Sequence, residues 1–162
     1  MAKIEMRGLD AYITKLSQLA AQAREGVIGP AIHDAASVVA DSIQSEISAI
    51  PTDNGYGTPS EPQSGLNAKQ KAALHNSFGI TKMRNDNGFY NVKLGFDGYN
   101  DIKTKRWPNG QPNAMVARAV ERGTSWLKAT PFVKRAVNAS KQQAVGIMQT
   151  TIDNKIYEIL RK

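Results

Sequence analysis

From Thr130-Pro131 to the end of the chain, positions Val133, Val137, Ser140, Ala144, Met148, Ile152, Ile156 and Ile159 follow one another at steps of three and four. That spacing lines side chains up on one face of an α-helix. The Thr-Pro start supports it, with a hydroxyl at the cap and a proline at the first helical position. The sequence therefore predicts a C-terminal helix of about eight turns, its longest element.

Upstream the pattern changes twice. Ile4 and Met6 alternate with Lys3, Glu5 and Arg7, the period-two pattern of a short strand that Gly8 ends. From Leu9 the apolar residues Tyr12, Ile13, Leu16, Leu19, Ala20 and Ala23 take up helical spacing, and Gly26 and Gly29 mark a stop. Pro30 then suits the first turn of a second helix carrying Ile32, Ala36, Val39, Ile43, Ile47 and Ile50, which Pro51 closes. Asp34, Asp41, Gln44 and Glu46 form its wet face.

Residues 51–65, PTDNGYGTPSEPQSG, are too broken for either period and read as an exposed, mobile loop. A short helix from Ala68 to Leu74 leads into a hairpin with strands at 78–84 and 89–96. Asn85-Asp86-Asn87-Gly88 supplies the turn, and Tyr90, Val92, Leu94 and Phe96 form the buried face of the second strand. Residues 97–113 are a second long loop, and Met115 to Val120 is a short apolar stretch. The whole is an α+β fold: one domain of 162 residues with a small antiparallel sheet packed against two or three amphipathic helices. Ile43 and Val92 both fall on faces marked as buried.

Chemistry is sparse. The chain has no cysteine, and its histidines, His33 and His75, stand alone in their segments, so no metal or cofactor site is expected. No phosphate loop, nucleophile elbow or acid-base pair is visible, and no catalytic residue is assigned: the chain reads as a non-enzyme. No stretch reaches the length of a membrane span or a signal peptide, so a soluble protein made in the cytoplasm is expected. The net charge of +7 points to a polyanion or an acidic protein surface as neighbour. Its main carriers are the 97–113 loop, with Lys103, Lys105 and Arg106 beside Trp107, and the C-terminal helix, with six basic residues against two acidic ones.

The order of the pieces carries a resemblance. An Ile4-Glu5-Met6-Arg7-Gly8-Leu9-Asp10 opening leads through a helical pair and a proline-glycine loop to Leu74-His75-Asn76-Ser77-Phe78 and a hairpin. Val120-Glu121-Arg122-Gly123-Thr124 and Ala129-Thr130-Pro131-Phe132-Val133-Lys134-Arg135-Ala136 follow. This resembles the head-tail joining and tail-completion family of long-tailed phages and their prophages over nearly the whole chain. The departures lie in 51–65 and in 99–113, which lacks a tyrosine-centred approach to Glu-x-Gly-Thr.

The resemblance implies a homo-oligomeric ring in the virion neck or tail, six-fold in preference to twelve-fold, through which the genome passes. Its partners would be other neck and tail proteins: a connector or adaptor, a tail tube or a terminator. Subunit contacts are then expected at Tyr56, Pro59, Arg106, Trp107, Glu121, Gly123, Thr124 and Trp126, and contacts with DNA in the channel at Lys103, Lys105, Lys134, Arg135 and Lys141. The alternative reading is a basic nucleic-acid-binding module.

Overall fold

A computed structural model describes residues 9–161; the strand expected at 2–7 lies outside the described residues. Four helices and four short strands follow in the order α1 (Leu9–Ala49), α2 (Ala68–Ser77), β1 (Phe78–Ile80), β2 (Arg84–Asp86), β3 (Phe89–Asn91), β4 (Leu94–Phe96), α3 (Asn113–Arg122) and α4 (Phe132–Leu160). The class is α+β, with the small antiparallel strands and the long C-terminal helix that the patterns predict.

The first correction concerns the helical pair. Gly26, Gly29 and Pro30 do not divide it, and α1 runs through them as one helix of 41 residues. A proline inside a helix loses a bond to the carbonyl four residues back and crowds it. Here that carbonyl belongs to Gly26, which is exposed and has open space around it, so water can satisfy the freed oxygen. Gly29 is small for a separate reason: a Cβ there would stand 3.2 Å from Met83 Cε. Packing along the helix outweighs the local breakers.

That packing is chiefly against α4, which runs antiparallel to α1. Arg135 pairs with Glu46 at 2.7 Å, Ser42 Oγ donates to the Ala136 carbonyl at 3.2 Å, and Thr151 Oγ1 donates to Asp34 at 2.9 Å. The seam is made of small residues. Ala31 and Ala35 are buried on the Ser42 face of α1, and Ala136, Ser140 and Ala144 are buried on α4. The α4 stripe thus begins through Phe132 and Ala136, not Val133 and Val137; Val137 is 39% exposed. Side chains this short let two helices approach closely.

At the C-terminal end of α1 the seam widens into the core. Ile43, Ile47 and Ile50 meet Leu66, Leu74, Phe78, Val116, Val120 and Phe132. The helix α2 is capped by Asn67, whose Oδ1 accepts from Gln70 N at 2.9 Å, and Lys71 Nζ reaches back 2.8 Å to the Ile50 carbonyl. Phe96 joins the sheet to the helices, 5.1 Å from the Phe78 ring and 6.1 Å from that of Phe132, within the range of favourable aromatic pairs.

The hairpin forms in two pieces. The pair β1–β4 sets Phe78 opposite Phe96 and Ile80 opposite Leu94, whereas β2–β3 sets Arg84 opposite Asn91. Three residues, 81–83, therefore face two, 92–93, which is the signature of a bulge. Asn87 and Gly88 have φ of 55° and 93°, the pair of positive values a type I′ turn needs. From the bulge outward the arm leaves the core, so Val92 and Tyr90 are only half-buried and Phe89 is exposed. The stretch 113–122 is a helix, where the sequence suggested only a short apolar run. It buries Val116, Ala117 and Val120.

Candidate functional site

The segment 51–65 is exposed, but it is stitched together. Its base closes through Asp53 N to the Leu66 carbonyl at 2.8 Å and Leu66 N to the Pro51 carbonyl at 3.0 Å. The Asp53 carboxylate accepts from Gly55 N at 2.9 Å, Ser64 N at 3.0 Å and Ser64 Oγ at 2.9 Å. These bonds, led by that from the Gly55 amide, hold its carboxyl below the ordinary carboxylate range. The loop expected at 51–65 is thus exposed yet hydrogen-bonded within itself, its aspartate binding backbone amides that no helix or strand pairs.

This loop docks on a second one. Gln63 N donates to the Trp126 carbonyl and Lys128 N to the Gln63 carbonyl, both at 2.9 Å. A Cβ on Gly57 would stand 2.0 Å from the Trp126 carbonyl oxygen, so only glycine allows the approach. Thr124 Oγ1 accepts from Trp126 N at 3.2 Å, the local hydroxyl turn such a threonine favours. Tyr56, Pro59, Thr124 and Trp126 are thus carried on one double loop. Tyr56 is 100% and Trp126 56% exposed.

Glu121, expected at a subunit contact, has a role within the chain. Its two carboxylate oxygens accept from Val133 N at 2.8 Å and Lys134 N at 3.1 Å, so it caps α4 from the end of α3. Thr130, expected to be that cap, is not the cap residue: Pro131 holds that position without a side-chain bond, and the Thr130 amide donates to the Val120 carbonyl. Gly123, at φ 73° with Ala129 N 2.9 Å from a would-be Cβ, makes the bend that brings α3 to α4. We expect Glu121→Ala to cost about 1–2 kcal/mol through loss of the cap and of the favourable charge at the helix N-terminus. Thermal melting should show this as a fall of about 3–6 °C; an unchanged melt with impaired assembly would return Glu121 to the interface.

The loop 97–113 is also built. Buried Asn100 accepts from Ile102 N at 2.9 Å and Gln111 N at 3.2 Å, and Gln111 Oε1 accepts from Gln70 Nε2 at 2.9 Å. The tip is a tight turn in which the amides of Thr104 and Trp107 each donate to the other's carbonyl at 3.0 Å. Lys103, Lys105 and Arg106 are exposed there and Trp107 is half-buried. The Arg106 guanidinium lies 5.7 Å from the centre of the Trp107 ring.

The basic helix separates into engaged and open cations. Arg135, expected to face DNA, places Nε at 2.8 Å from Glu46, whereas Lys134 and Lys141 are exposed. Among the described residues no group of His, Asp and Glu is arranged to hold a metal ion, and no helix is long and apolar enough to cross a membrane.

Protein-family models, curated proteins and solved structures give no match to this chain. Two surfaces thus define the candidate site: the aromatic double loop of Tyr56 and Trp126, and the cationic turn at residues 103–107. Tyr56 and Trp126 were legible as loop aromatics. Their union through Gln63 was not, because a backbone bond between segments some sixty residues apart leaves no periodic trace in sequence.

Proposed function

We propose that the chain is a structural subunit that assembles with copies of itself into a ring at the head-tail junction or the top of the tail of a phage, joining head to tail and leaving a passage for DNA. The observation that carries this is the mounting of Tyr56 and Trp126. A large aromatic on a loose loop loses entropy when it binds, whereas one on a hydrogen-bonded double loop is already positioned for a partner. The run from Glu121 to Phe132, which holds part of two of the motifs behind the resemblance to phage neck proteins, forms the joint between α3 and α4 and includes one half of that double loop.

The cationic turn favours a second reading, a nucleic-acid-binding module, since cations around an aromatic suit single strands. Arg106 already stacks on Trp107, which leaves less ring face for a base, and the ring reading is preferred. Light scattering on the eluting protein, followed by electron microscopy, tests it. The wild type should form closed rings, and Tyr56→Ala with Trp126→Ala should raise the concentration needed for assembly by roughly tenfold or more while leaving the melt unchanged. Assembly indifferent to the double variant would reject this surface; a monomer with salt-dependent DNA affinity would favour the second reading.

A further inference from the structure

We propose that the cationic turn at 103–107 docks in the groove between α1 and α4 of a second copy, with Arg106 meeting Asp41 and Lys105 meeting Asp34. The inference rests on the ring reading above and names a surface through which one subunit would hold the next.

The groove opens along the side of the α1–α4 seam. It has a volume of about 350 Å³ and is lined by Val38, Asp41 and Ser42 from α1 and by Ala139, Ser140 and Gln143 from α4. Asp34, Val38 and Asp41 are four and then three residues apart, so they form one line on the helix, with the two carboxylates separated by about 10 Å along its axis. Both are exposed. From Gln142 to Asn154 the opposing helix contains no lysine or arginine, and Asp34 is met there only by the Thr151 hydroxyl. Lys141 is offset by two residues from both Ala139 and Gln143, which turns it to the far side of α4. Among the described residues, no cation lies within ion-pairing distance of Asp34 or Asp41. On a chain of net charge +7, this line attracts a cation where most of the surface repels one.

The turn at 103–107 is the complementary part. It displays three cations within four residues, on a backbone fixed by the paired Thr104 and Trp107 bonds and with Arg106 braced on Trp107. Little freedom remains to be lost on docking. The groove's lining mixes Val38 and Ala139 with Ser42, Ser140 and Gln143, so the charges set register and steer the encounter. Turn and groove are different surfaces of one chain, so the contact is head-to-tail, the type that closes into a ring when its rotation allows.

A charge exchange tests this. Arg106→Glu and Asp41→Lys, each on the exposed surface, should melt as the wild type does. Each should raise the concentration of half-assembly about tenfold in light scattering, and the two together should restore it to within about threefold. Added salt should weaken the wild type. If the wild type assembles and the single variants assemble equally well, or the double variant stays as poor as either single one, the docking is wrong and the ring reading stands. A wild type that stays monomeric at every concentration overturns the ring reading itself, and this contact with it. If Arg106→Glu assembles normally but loses salt-dependent binding to a DNA oligonucleotide, the turn belongs to DNA and the docking is overturned.

Discussion

Ile43→Asp is expected to leave no soluble, cooperatively folded protein. Ile43 is 2% exposed and lies in the core cluster that also holds Ile47, Leu74, Phe78, Val116, Val120 and Phe132. These neighbours are hydrocarbon, and an aspartate there would be a buried charge without a partner. Such a substitution costs about 4–5 kcal/mol or more, against a total stability on the order of 5–15 kcal/mol. Soluble yield and a circular dichroism melt check it, with Ile43→Val as control at about 1 kcal/mol. A parental melt for the aspartate variant would mean that the core is misplaced. Val92→Asp, which the strand alternation ranks as equally harmful, should be mild, because Val92 is half-buried at the bulge.

Gly110→Ala should have the second-largest effect, centred on the loop that carries the cationic turn. Gly110 has φ 100°, and a Cβ there would stand 1.9 Å from the Asn100 carbonyl oxygen. Alanine meets both an unfavourable backbone conformation and a collision with backbone, together about 3 kcal/mol. The chain is expected to relieve this by releasing Asn100 from Gln111, which detaches the turn from its base. Trypsin should then cut at Lys103, Lys105 or Arg106 much faster than in the parent, and assembly should weaken as it does for Arg106→Glu. An alanine variant that melts and resists trypsin like the parent would contradict the described loop.

The sequence by itself determined the features that rest on neighbours along the chain. Asn87-Gly88 specifies a turn with two positive φ angles, the apolar steps from Ile43 to Ile50 specify a buried helix face, and Thr130-Pro131 places the start of the last helix to within a residue. The α+β class follows from the change of period between these segments. Tertiary structure decided the rest, because the deciding interaction joins residues far apart. Gly26 and Pro30 are breakers in isolation, yet α4 packed along α1 makes one helix of what locally reads as two. The start of the α4 stripe passes through Ala136 instead of Val137 because Ala136 lies against α1 at Ser42, whose hydroxyl donates to its carbonyl, and so close an approach favours a small side chain, a requirement that hydrophobicity alone does not express. Glu121 reads as a surface carboxylate until Gly123 turns it onto the amides of Val133 and Lys134. Asp34 and Asp41 read only as the wet face of a helix, and it is the position of a lysine-free stretch of α4 beside them that leaves them, among the described residues, without an ion-pair partner.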